Sequence, residues 1–195
     1  ELFGMETALY NLRAKPEVME AGAERIANLV VDLLRGVHNV AGGELLIFAT
    51  ADDLATQRGL MFSPDTWRKC FKPNLARQFA AAKELGLITW LHACGDVSAI
   101  LPDLVEIGLD VLEPTQAHLP GMRSDWLKKE FGNHLTFFGA ISTQTTLPFG
   151  TSDDVRREVR ERIRVLGAGG GGYVVSPDHT VLDGVPPRNV IALYD

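Results

Sequence analysis

Five short apolar runs, each followed by polar residues and a helical pattern, constrain this chain more than any other feature. They span residues 44–49, 87–91, 109–112, 135–140 and 173–175. Successive runs start about 20 to 45 residues apart, enough for a crossover helix each time. The runs are continuous rather than alternating, the pattern of parallel strands covered on both faces. The predicted class is α/β.

The segments between them read as helices. One runs from Pro16 to about Gly36, with Pro16 in the first turn and Val18, Ala21, Ile26, Val30, Leu33 and Leu34 as its apolar stripe. Ser63-Pro64-Asp65 starts another, whose Trp67, Phe71, Leu75 and Phe79 recur every four residues. Pro73 interrupts that pattern and predicts a kink or two abutting helices. Shorter helices are predicted over 98–107 and 124–131. Thr151-Ser152-Asp153-Asp154 caps a charged helix with Val155, Val159, Ile163 and Leu166 on one side. Its arginines and glutamates read as a solvated face. Gly169 to Gly172 lacks the Lys and Ser/Thr of a phosphate loop and reads as a connector. Pro186-Pro187 starts a last helix ending at Tyr194.

Open α/β sheets and barrels bind ligands beyond the carboxyl ends of their strands. The polar residues gather there: Asp52 and Asp53, His92 and Cys94, Glu113 and Gln116, Ser142 and Gln144, then His179. Strand starts are plainer, so a single active face is expected. His92 and Cys94 stand two apart and share a face of an extended chain. Imidazole and thiolate side by side are two-thirds of a catalytic zinc site. Taken alone, the pair also reads as a buried histidine beside a structural cysteine. Asp52 and Asp53 also read as a cap or turn, and Asp96 as the cap of the next helix. Surface or cap roles are expected for His118 and His134, a loop for His38, and packing for Cys70.

With 195 residues and a 46% apolar composition, the chain holds one core, and no second domain is visible over 1–195. A net charge of −6 argues against nucleic-acid binding. No run is long and apolar enough to cross a membrane. Two cysteines make no disulfide framework, and a reducing, cytoplasmic setting is expected. A full barrel needs eight βα units. Glu1 opens the chain without an initiator or cap, so the simplest reading is the C-terminal five units of a (β/α)8 TIM barrel, part of a longer protein. A doubly wound sheet also fits. Two exposed sheet edges would favour homo-oligomers.

Several stretches are similar to the uroporphyrinogen decarboxylase superfamily. They are Leu91-His92-Ala93-Cys94-Gly95-Asp96-Val97, Gly108-Leu109-Asp110-Val111-Leu112-Glu113-Pro114, Phe138-Gly139-Ala140-Ile141-Ser142-Thr143-Gln144, and His179 followed by Val185-Pro186-Pro187-Arg188-Asn189. The resemblance implies a (β/α)8 barrel and one of two chemistries. One branch decarboxylates porphyrinogens in haem synthesis without metal. The other comprises zinc-dependent methyltransferases, which move methyl groups between a corrinoid protein and a thiol or methoxylated substrate. The second carries His-x-Cys, matched by His92-Ala93-Cys94, and a later Cys, at whose position His179 stands. It therefore implies Zn2+ on His92, Cys94 and His179, with methylcobamide carried by a partner protein. Asp52, Asp53, Glu113 and His179 are the expected catalytic groups. Gln116, Ser142 and Gln144 would contact a small-molecule substrate, and Glu113 would ligate the metal or orient His92. The alternatives are a cofactor-free decarboxylase, with His179 holding substrate carboxylates, and a non-catalytic binding protein on a barrel-derived frame.

Overall fold

The computed structural model describes residues 3–195. Helices α1 (Met5–Ala14) and α2 (Pro16–Val40) precede the first strand, β1 (Ile47–Ala51). A small hairpin follows, β2 (Ala55–Thr56) with β3 (Gly59–Leu60), and then α3 (Pro64–Cys70) and α4 (Lys72–Glu84). Strand and helix then alternate through β4 (Ile88–His92), α5 (Leu101–Glu106), β5 (Val111–Thr115), α6 (Ser124–Phe131) and β6 (Thr136–Ile141). The chain closes with α7 (Thr146–Phe149), α8 (Ser152–Leu166), β7 (Tyr173–Pro177) and α9 (Pro187–Tyr194).

The five expected strands form one parallel sheet in the order β1-β4-β5-β6-β7, which is chain order. The two-residue strands β2 and β3 pair only with each other. Pro73 falls in the first turn of α4, and α3 and α4 abut at Phe71, one of the two outcomes its interruption allowed. Thr151 and Asp154 form the expected reciprocal cap at the start of α8.

Helices seal one face of the sheet. Phe48 and Leu91 turn toward them and join Leu34, Phe79, Leu104, Leu112, Leu127 and Phe137 in the main core. Each such buried side chain contributes about 1.5–3 kcal/mol of burial energy. The neighbouring residues Ile47 and Ile88 point the other way and stay exposed. That open face departs from the two-sided cover that continuous apolar runs suggest. Its apolar residues include Trp90, whose indole packs at a 54° tilt against Phe138 with ring centroids 4.7 Å apart. At the β7 end a smaller cluster of Ile141, Leu147, Val155, Ala192 and Leu193 seats α8 and α9.

Several details differ from the sequence reading. Residues 5–14 form a helix that no cap residue announced, since Gly4 precedes it without a side-chain cap. His38 lies in the last turn of α2, not in a loop, because that helix runs on to Val40. The charged side of α8 is not uniformly solvated. Arg162 is largely covered and donates to the Ala140 carbonyl, the Ser124 hydroxyl and Glu158. Cys70 packs in the core with Leu12 and Met19, as expected. Both cysteines are free thiols. No helix among the described residues is long and apolar enough to cross a membrane.

Candidate metal centre

Strand register builds the site. His92 ends β4 and pairs with Glu113 in β5 and with Ala51 in β1. The β1–β4 ladder runs on past Ala51, where the Asp52 amide donates to the His92 carbonyl at 2.9 Å. Side chains alternate along extended backbone, so His92, Cys94 and Asp53 share the open face while Asp52 turns toward the helices. One donor atom from each of Asp53, His92 and Cys94 lies within 4.8 Å of the other two.

Neighbours fix each of these groups. The His92 Nδ1 lies 2.5 Å from Glu113 Oε2, which leaves Nε2 facing Cys94 Sγ at 3.4 Å. Trp90 Nε1 approaches the same Glu113 oxygen at 3.5 Å. The Glu113–Pro114 peptide is cis. Cys94 is followed by a tight turn at Gly95, whose φ is 94°. A Cβ there would stand 2.6 Å from the Thr56 carbonyl oxygen in the hairpin, so only glycine fits. The Gly95 amide donates to the buried Gln116 side chain at 2.8 Å. Asp96 accepts from the Ser98 amide at 3.0 Å, a turn ahead of the short helical segment rather than its N-cap, which is Val97.

Burial pushes the Cys94 thiol above its ordinary range, and the charges of Asp53, Glu113 and Asp178 push it further. Three anions around a thiol hold it protonated, and a bound cation reverses that balance. The donor set suits zinc: thiolate, imidazole and carboxylate are its three protein ligand types. Zinc–nitrogen and zinc–sulfur bonds of about 2.0 and 2.3 Å place tetrahedral donors roughly 3.6 Å apart, close to the observed His92–Cys94 spacing. A carboxylate on the far ring nitrogen, as Glu113 provides, is the usual partner of a metal-bound histidine.

The remaining expected site residues divide. Asp52 does not share the group of Asp53. It lines a cavity with Met19, Phe71 and Leu75 from the helices. Desolvation there raises its carboxyl to about 6, with the Asp53 charge adding to the shift. The residue as a whole is nonetheless exposed, as the cavity opens to solvent. Gln116 supports the Cys94 turn from the core. Ser142 is buried and accepts from the Gln144 and Thr145 amides and from the Thr145 hydroxyl. Gln144 is exposed. His179 is also exposed and lies outside the group of three.

Asp178, one residue earlier, is the acid that sequence reading passed over. It is fully buried. Its Oδ1 accepts from the Thr143 amide and hydroxyl at 2.9 and 2.7 Å. Its Oδ2 lies 3.2 Å from His118 Nδ1, close enough for an ion pair but without hydrogen-bond alignment. His118 reaches the surface, as expected, yet its ring is turned inward to this carboxylate. The available signal was an acid closing an apolar strand, beside the more conspicuous His179.

Comparison with known proteins places this arrangement. Residues 2–195 match the family model described as uroporphyrinogen decarboxylase (URO-D). The chain belongs to the uroporphyrinogen decarboxylase family. Curated relatives of this family that the chain resembles include the methylcobamide:CoM methyltransferase MtaA of Methanosarcina barkeri. It is 29% identical over 147 residues, 75% of this chain and 40% of that protein. A methylated-thiol–coenzyme M methyltransferase of Methanosarcina mazei is 26% identical over 160 residues, 82% of this chain and 40% of that protein. The chain thus spans about 40% of the length of these relatives. Among solved structures, a methyltransferase from Methanosarcina mazei superposes with a TM-score of 0.75 at 22% identity, covering 98% of this chain and 52% of that one. The expected α/β barrel-type fold is confirmed by that superposition.

Proposed function

We propose that the protein containing this chain is a zinc-dependent methyltransferase, moving a methyl group between a corrinoid protein and a thiol or methoxylated substrate. The observation that carries this reading is the convergence of Asp53, His92 and Cys94 on the open face of the sheet. These three side chains would hold the metal. Bound zinc lowers the pKa of a coordinated thiol and so supplies a thiolate nucleophile near neutral pH.

The chain's own residues do the positioning. Glu113 fixes the His92 ring through Nδ1 and leaves Nε2 free to ligate. Gln116 and the glycine turn hold Cys94 rigidly beside it. Asp53, just beyond the neighbouring strand, would be the third ligand, with the open face of the sheet left for substrate. That open side gives a thiol and a corrinoid partner a common approach.

The test uses the intact protein. Metal analysis is expected to find about one zinc per chain, lost in Cys94→Ser, together with methyl transfer from a methylated corrinoid protein to a thiol. Metal-free protein that decarboxylates a porphyrinogen would overturn the reading in favour of the other branch of the family.

A further inference from the structure

Asp52 opens onto a cavity of about 210 Å³ that the metal group does not use. It lies behind the end of β1, between α2 and α4. Met19, Ile26, Phe71 and Leu75 supply apolar walls, and Asp52, Asn74 and Gln78 supply the polar groups. Gln78 is nine-tenths buried, and its side-chain amide pairs with no other described residue. Water in this open cavity can serve that amide, and a ligand with a matching polar group can take the water's place. A cavity of about 150 Å³ with apolar walls admits benzene, so this one has room for a single ring with a short substituent.

We propose that this cavity binds a small apolar molecule of single-ring size whose polar end donates hydrogen bonds to Asp52 and Gln78. The side-chain amide oxygen of Gln78 and the oxygens of Asp52 are acceptors in a largely apolar lining. An amine or hydroxyl suits them. A carboxylate does not, because it would meet Asp52 with Asp53 next in the chain. The site lies on the helix side of β1, whereas the metal group lies on the open side. The inference therefore stands whether or not the chain carries a methyltransferase centre.

Calorimetric titration and ligand-observed NMR on the intact protein test it with three probes: benzylamine, benzyl alcohol and benzoate. Benzylamine and benzyl alcohol are expected to bind, and benzoate at least about tenfold more weakly. Gln78→Leu is expected to weaken benzyl alcohol about five- to tenfold while leaving metal content unchanged. Leu75→Trp fills the cavity and is expected to abolish binding of all three probes. Should that variant fail to fold, as judged by circular dichroism, the Gln78→Leu comparison decides. Equal affinity for benzoate and benzylamine overturns the proposal. So does unaltered binding by folded Leu75→Trp or by Gln78→Leu, or the absence of saturable binding by either donor-bearing probe.

Discussion

The two ends of the sheet's polar rim look alike in sequence and behave differently in structure. At the β1–β4–β5 end, Asp53, His92 and Cys94 converge with donor atoms turned to one another and to the open face. At the β6–β7 end, Ser142 and one oxygen of Asp178 are committed to the loop that follows β6. Ser142 ties down the loop that follows it, and Asp178 clasps Thr143. Both ends follow the rule that polar residues gather at the carboxyl ends of parallel strands. What separates them is where the donor atoms point: at one end they face one another, and at the other they hold a loop.

The sharpest test of that division is Cys94→Ser. A serine hydroxyl is a far poorer zinc ligand than a thiolate. The variant is expected to lose zinc affinity by more than the roughly 10- to 100-fold typical of removing an outer partner. Glu113→Gln tests that outer partner itself. The amide keeps the shape but no longer offers a charged acceptor to His92, so a loss of about 10- to 100-fold is expected in competition with a chromophoric chelator. Unaltered affinity in both variants would break the comparison, because the β4–β5 end would then be as structural as the other.

Asp178→Ala probes the opposite end. It removes a buried carboxylate that holds two donors from Thr143 and lies beside His118. Loss of about 3 kcal/mol in urea unfolding is expected, since charged hydrogen bonds are worth about 1.5–3 kcal/mol each and the Thr143 donors are left without their acceptor. Zinc affinity is expected to move by less than about tenfold, because Asp178 reaches Cys94 only through its charge. A large loss of metal with little loss of stability would move Asp178 from the anchors to the site.

Much of this was legible from the chain. Continuous apolar runs at crossover spacing gave five parallel strands in chain order, and His92-Ala93-Cys94 gave two of the three converging donors. The place of Asp53 beside them was harder to read, because it requires knowing that β1 pairs with β4. Asp52 and Asp53 are adjacent in sequence and read as one site. Strand alternation sends them to opposite faces of the sheet, and only the continued ladder through the Asp52 amide reveals that the alternation persists beyond the strand. The role of Ser142 as a loop anchor was equally hidden, because a hydroxyl at a strand end carries no sign of which amides it will meet.

The smallest expected effect separates those two adjacent acids. The Asp52 carboxyl is raised from an ordinary 3.8 to about 6 in the folded chain. Between those values the native state holds a proton that the unfolded chain has released. Stability therefore falls as pH rises from about 4 to about 6, and the loss is complete above that window. Solvent reaching the open cavity weakens the effect, so it should be smaller than the loss in Asp178→Ala. Asp52→Asn removes the titration and is expected to gain stability over the unsubstituted protein at pH 7 but not at pH 4, as read from paired urea midpoints at the two pH values. Asp53→Asn is expected to keep most of that pH dependence, which comes chiefly from desolvation of Asp52, while weakening zinc binding. If the two substitutions changed both properties alike, Asp52 and Asp53 would be one site after all.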